Sequence, residues 1–198
     1  MRELVIDKSK YDQSYLGSAA DKRHVSWVME RVREIISARY KLSRLMTIVG
    51  LAVLDVGKVG GLMRGELEWL FGSIHSSGVD LDEERFDFRD GSMDVVTSID
   101  VIEHLYNPLF HLLECKRVLR EGGIMILDTC NDSSLIYKVE HILGLKYSGH
   151  FHQFSEWDMR CILGRAGFKI LEFKKYFRPT SGTIARISRK EMIIVCQK

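Results

Sequence analysis

The sequence predicts an α/β fold: a mostly parallel sheet with helices on both faces and an antiparallel final strand. Three observations carry that expectation. Apolar runs of strand length, rich in Val, Ile and Leu, recur along the chain. Amphipathic stretches of helix length stand between them, and glycines crowd in directly after one of the runs. The 198 residues, 45% of them hydrophobic, fit one domain with a core that needs no staples. The expected layout is an N-terminal helical segment over about 1–48 and a sheet-bearing core over about 49–198.

Residues 24–45 carry Val25, Val28, Val32, Ile35 and Ile36 on one helical face, with Glu30, Arg31, Arg33 and Glu34 largely outside it. TIVGLAVLDVG then reads as a strand buried on both faces, as in a parallel sheet, and LMRGELEWLFGSI fits a helix. Residues 92–99 form the next strand. Residues 107–123 read as a helix with Pro108 early and glycines at its end. Residues 124–130 give another apolar strand. A capping box of Ser155 and Asp158 opens a helix that closes at Gly167. KILEF and EMIIVCQ are two last strands, joined without a clear helix and so expected to pair antiparallel at one edge.

Composition narrows the function classes. A net charge of +2 points to no particular partner. No run of about 18 apolar residues offers a membrane span, and the start MRELVIDKSK is too polar for a secretory signal. Cys115, Cys130, Cys161 and Cys196 are scattered and form no C-x-x-C pair, which favours reduced thiols in a cytoplasmic protein over disulfides or a zinc site. Eight basic residues and one acid, Glu172, lie between Arg165 and Lys190. No stacking or base-reading motif accompanies them, so a solvated face is expected there and nucleic acid is not. The acidic stretch from Asp80 to Asp94 also works against nucleic acid.

A ligand of a parallel sheet belongs at the carboxyl ends of the strands, beside the switch point. That makes VLDVGKVGG, residues 53–61, the first place to look. Glycine after a strand permits positive φ and close backbone approach, and the following helix offers unpaired N–H groups.

Further along, DGSMDVV, DVIEHL, ECKRVLREGG and IMILDTCN follow one another between Asp90 and Asn131, and GHFHQFSEWDMRCILGRAGF comes later. In this order, together with VLDVG, they resemble the class I S-adenosylmethionine-dependent methyltransferases of the type 11 group, over most of residues 51–175. The resemblance implies a Rossmann-like, seven-stranded sheet with S-adenosyl-L-methionine over its first, second and fourth strands. It implies that Asp55 and Gly57 lie beneath the methionine part of the donor, and that an acid ending the second strand holds the ribose. It places Asp100, Val101 and the residues up to His104 between donor and acceptor.

Two departures from the family pattern stand out. Aligned on Asp55, the pattern D-x-G-x-G-x-G keeps Gly57 and Gly61 but has Val59 in the middle, a β-branched residue that resists positive φ unless Gly60 takes over the task. Lys58 is expected to point to solvent. The span from Gly61 to Asp94 covers 33 positions, where about 50 would be comfortable for the full set of crossovers. One βα unit is therefore expected to be trimmed. Either Gly78 to Leu81 is the second strand, with Asp80 the ribose acid, or it is the third and the second is lost. The likeness of VDLDEERFDFRDGS to the family's stretch before the fourth strand favours the loss.

Methyl transfer from a sulfonium is an in-line displacement, so the protein aligns donor and acceptor and sometimes removes a proton. His104 has the residue type and place for a general base, against the alternative of a histidine that caps the turn. Asp100, Glu103 and His104 are chemically adequate for a divalent cation. The same letters are common in family members for which no metal is implied, and no metal is expected. Of His150 and His152, at most one is expected on the acceptor side, with Tyr147 and Phe151 near an acceptor pocket. The resulting expectation is a methyltransferase acting on a small molecule or glycan intermediate. The competing expectation is a methyltransferase-like scaffold or regulatory protein with a degraded donor site.

Overall fold

The computed structural model describes residues 19–40, 50–56, 67, 68, 70, 71, 74–131, 150–177 and 190–198. Among them the chain runs through α1 (Ala19–Tyr40), β1 (Val53–Asp55), β2 (His75–Ser76), β3 (Met93–Ile99), a 3-10 turn (Ile102–His104), α2 (Pro108–Val118), β4 (Leu119–Cys130), α3 (Glu156–Arg165), β5 (Lys169–Phe177) and β6 (Lys190–Gln197). Six strands form one sheet in the order β2-β1-β3-β4-β6-β5. The pairs β2–β1, β1–β3 and β3–β4 are parallel, and β6 runs antiparallel to both β4 and β5.

The sheet separates two cores. On one face Val28, Val32, Ile35 and Ile36 of α1 pack with Leu67, Leu70 and Phe71 on Val53, Val95, Ile124, Ile126, Ile193 and Val195. On the other, Leu112, Cys115 and Val118 of α2 and Met159 and Leu163 of α3 cover Leu54, Val96, Met125, Leu127 and Ile194. Alternate residues of one strand feed opposite cores, as a sheet covered on both faces requires. The helical face expected for α1 is the buried one, although Val25's side chain lies outside the described ones.

Two expectations about the elements need correction. The second strand is not lost: His75–Ser76 pairs in parallel with Leu54 and Asp55, on the side of β1 away from β3. Gly78 to Leu81, offered as a strand, is a loop entering a turn. Among the described residues, the strand by which this sheet falls short of seven would lie beyond β2. The reason is chain length. The path from Asp55 to His75 accommodates one crossover, with helical residues at Leu67, Glu68, Leu70 and Phe71. After Ser76 the chain turns at residues 81–83 and runs directly to β3.

The second correction concerns the glycines placed at the end of α2. The helix stops at Val118, and Leu119 is already extended and belongs to β4. Gly122 and Gly123 instead sit in an irregularity of β4, where the register against β3 shifts between Met93 and Val95. Gly122 has φ +75, and a Cβ on Gly123 would lie 2.9 Å from the Arg120 carbonyl oxygen, so neither place tolerates a side chain. The capping box held: the Ser155 hydroxyl accepts from the Asp158 N–H, and the Asp158 carboxylate accepts from the Ser155 N–H.

Candidate functional site

The strand order reverses between β1 and β3, and the carboxyl ends of β1, β3 and β4 gather the polar residues singled out above. Asp55 ends β1, half-buried, and its carboxylate accepts a 2.6 Å hydrogen bond from the hydroxyl of Thr97, its cross-strand neighbour on β3. Gly57, Lys58, Val59, Gly60 and Gly61 lie outside the described residues, as does Tyr147. Asp80 does not end a strand. Its carboxylate accepts from the Asp82 N–H at 3.0 Å and its carbonyl accepts from Glu84, so it organises the turn four residues beyond β2. Just past the end of β2 stands Ser77, 7% exposed, whose hydroxyl has no hydrogen-bond partner among the described residues.

β3 is followed directly by Asp100 in the left-handed region, with φ 50. Asp tolerates this better than most residues, yet it remains a sparsely populated conformation of the kind found at functional sites. The Asp100 N–H donates to the Asp128 carbonyl of β4 at 3.1 Å. Val101 is buried, and the chain then winds into the turn that presents Glu103 and His104.

Glu103 is 1% exposed and accepts a 2.9 Å hydrogen bond from the Thr129 hydroxyl. Burial first, and the Asp100 carboxylate second, push its carboxyl well above the usual carboxylate range. The backbone carbonyl of Glu103 accepts from the N–H groups of Phe151 and His152, at 2.9 and 3.1 Å. Those two bonds tie residues 150–152 to the turn and set the His150 ring edge-on against His104, with centroids 4.7 Å apart. Cys130 at the end of β4 reaches His150 Nδ1 at 3.6 Å. His152 instead stacks near Phe154, so one of the two histidines enters the site and the other does not. Tyr106 and Phe151 lie in ring contact at 4.0 Å on the rim and are about half exposed, which removes Phe151 from the core.

Glu103, His104 and His150 each offer a ligand atom, and these atoms all lie within 4.8 Å of one another. This differs from the cation set legible in the sequence, which has Asp100 in place of His150. The sequence reading also missed Thr97, Thr129, Ser77 and Asp128. The signal was available for three of them, since a polar letter inside an apolar strand run (VVTSI, MILDTC) must find a partner once buried. All four cysteines are free thiols. No helix among the described residues is long and apolar enough to cross a membrane.

Parts of this chain resemble known proteins. Residues 64–127 match the profile of a methyltransferase domain family, Methyltransf_11. The ubiquinone biosynthesis O-methyltransferase of Maricaulis maris is 30% identical over 128 residues, which are 52% of this chain and 50% of that protein. The same-named protein of Shewanella pealeana is 29% identical over 125 residues. The chain thus spans about half the length of the curated relatives it matches. Among solved structures, a putative methyltransferase of Bacillus halodurans superimposes with TM-score 0.60 at 14% identity, over 83% of this chain and 99% of the other. An S-adenosylmethionine-dependent methyltransferase of Mesorhizobium loti does so with TM-score 0.58 at 15% identity, over 86% of this chain and 100% of the other. At such identities the structural likeness speaks for the fold.

Proposed function

We propose, on the premise that this chain carries a class I S-adenosylmethionine-dependent methyltransferase domain, that it transfers a methyl group to a hydroxyl oxygen of a small molecule. The carrying observation is the convergence of Asp55, Asp100 and the His104–His150 pair at the carboxyl edge beside the β1/β3 switch point. The names of the curated relatives support oxygen as the acceptor atom.

The residues present fit the donor. An edge that gathers the carboxyl groups of Asp55 and Asp100 suits a ligand bearing a sulfonium and an ammonium. The Ser77 hydroxyl, just past β2 and without a partner among the described residues, suits a ribose hydroxyl. When bound, S-adenosyl-L-methionine would supply a methyl group that an oxygen can displace from sulfur. Asp55, Gly57, Gly60, Gly61, Asp100 and Val101 would hold it, with Ser77 standing at the ribose position and Asp80 as the nearest acid beyond. His104 would take the acceptor's proton on an imidazole nitrogen. Tyr106 and Phe151 would cover the apolar part of the acceptor and keep water from that side.

A cation-assisted form of this reading is favoured by one observation, the clustered ligand atoms of Glu103, His104 and His150. A carboxylate with two imidazoles suits zinc or manganese. When bound, the ion would act as a Lewis acid toward the acceptor. Thr129, on Glu103, and Cys130, beside His150, would orient the ligands.

A non-catalytic scaffold is the alternative, and half of its motive is gone, because β2 occupies the second-strand position. A cytoplasmic setting belongs to the proposal and is supported by the four free thiols. Calorimetric titration with S-adenosylhomocysteine decides between enzyme and scaffold. One-to-one binding in the micromolar range supports the enzyme, and no heat at high ligand concentration sinks it. Repeating the titration with zinc or manganese alone, on wild type and Glu103→Gln, tests the cation.

A further inference from the structure

The proposed donor and acceptor groups leave one well-ordered set of contacts unused, on the α1 side of the sheet. Tyr176, near the end of β5, donates its hydroxyl to both carboxylate oxygens of Asp128 at 2.8 Å. Asp128 lies in β4, fully buried, and its backbone carbonyl is the acceptor for the Asp100 N–H. The Trp27 indole of α1 stacks on the Tyr176 ring with centroids 3.9 Å apart and planes 23° from parallel. Arg31, one helical turn further along α1, pairs with Glu172 of the same strand β5. A continuous line of contact therefore runs from α1 through β5 and β4 to Asp100, which follows β3 in a left-handed conformation.

From this line we infer that Tyr176, seated by Trp27, is a positioning residue that holds Asp100 in its strained backbone conformation through Asp128. A non-glycine residue stays at positive φ only where its surroundings over-determine it. The Asp128 carbonyl supplies that constraint, and the strand segment carrying it is held by a buried carboxylate whose geometry Tyr176 fixes. Burial, and next the carboxylate of Asp128, keep the phenol far above its ordinary pKa, so it remains a donor. Loosening the clamp lets the Asp128 segment shift and Asp100 relax. The inference deepens the donor-site reading, since Asp100 is one of the residues assigned to the donor.

Amide hydrogen exchange on the ligand-free protein tests it. Tyr176→Phe is expected to speed exchange of the Asp100 amide about tenfold. The Gly91 amide, bonded to the Arg117 carbonyl at the opposite edge, should keep its rate. Trp27→Leu should act in the same direction with smaller size. The double variant Tyr176→Phe with Asp128→Asn removes the buried charge along with its donor and should return Asp100 to within about twofold of wild type. In a parallel titration, Tyr176→Phe should weaken S-adenosylhomocysteine binding about fivefold. Equal acceleration at Asp100 and Gly91 would reveal general loss of stability and overturn the inference, as would an unchanged Asp100 rate. If Tyr176→Phe does not fold, a folded double variant with unprotected Asp100 overturns it as well. Absence of S-adenosylhomocysteine binding by wild type removes the functional reading, while the exchange comparison still judges the clamp.

Discussion

The two edges of the sheet handle their carboxylates differently. At the amino edge, Glu114 and Asp90 meet Arg117, which also donates to the carbonyls of Phe86 and Phe88, and Asp94 pairs with Arg120 while accepting from the Ala52 N–H. Lys198 donates to the carbonyls of Arg117 and Leu119. At the carboxyl edge, Asp55, Glu103 and Asp128 take hydroxyl donors, from Thr97, Thr129 and Tyr176. A guanidinium holds a carboxylate as an anion, whereas burial and a neighbouring carboxylate, as at Glu103, favour the protonated form. The paired edge fastens loops to α2 and β4. The hydroxyl-lined edge holds a buried carboxyl with a raised pKa and a residue at positive φ.

Breaking the paired edge should cost most. Arg117→Met leaves the buried Glu114 carboxylate with only the more distant Arg85 guanidinium at 3.6 Å and frees the carbonyls of Phe86 and Phe88, and should lower unfolding stability by about 3 kcal/mol in denaturant titrations. Adding Glu114→Leu should recover most of that loss, because the stranded charge then goes too. A loss under about 1 kcal/mol would mean that the two edges differ less than their contacts imply.

At the other edge the effect should fall on rate. Once an acceptor is turned over, His104→Gln should reduce kcat about a hundredfold and leave S-adenosylhomocysteine affinity within about twofold. Parallel loss of affinity and stability would instead make His104 a structural cap of the turn.

Acid should separate the edges next. Burial alone would raise the Glu114 carboxyl, but the hydrogen bonds and charge of Arg117 outweigh it and hold the pKa below the usual range. A depressed folded-state pKa gives stability that is present above the unfolded value of about 4.3. That stability disappears as pH falls through the lower folded value. Unfolding free energy should therefore drop from about pH 4.5 downward, and Glu114→Gln should flatten that limb.

A site away from both edges gives the smallest effect and serves as a control. Ser155→Ala removes the cap of α3 and should cost about 1 kcal/mol, or a few degrees in Tm, with no change in ligand affinity.

Much of this fold was legible in the chain, and for local reasons. Val28, Val32, Ile35 and Ile36 share a face because of helical geometry alone, and Ser155 with Asp158 closes its box within one turn. The apolar runs of β1, β3, β4 and β6 identify themselves because a strand covered on both faces has no polar side to show. The order of motifs carries the resemblance to the type 11 methyltransferases, and that resemblance singles out Asp55, Asp100 and His104 as residues to watch. The two-residue β2 escaped, since His75–Ser76 carries no apolar run and is a strand only because Leu54 and Asp55 lie beside it. The end of α2 was misplaced because the glycines answer to a close approach in β4 and not to the helix.

The class of fold, its layers and the letters at the carboxyl edge therefore all follow from spacing along one chain segment. Which of those letters meet depends on how distant segments pack together. His150 joins Glu103 and His104 through two backbone bonds across nearly fifty residues, and Tyr176 reaches Asp128 across β6. Such pairings depend on strand order and register, which bring distant segments to hydrogen-bond range and leave no periodic trace in the sequence that folds into them.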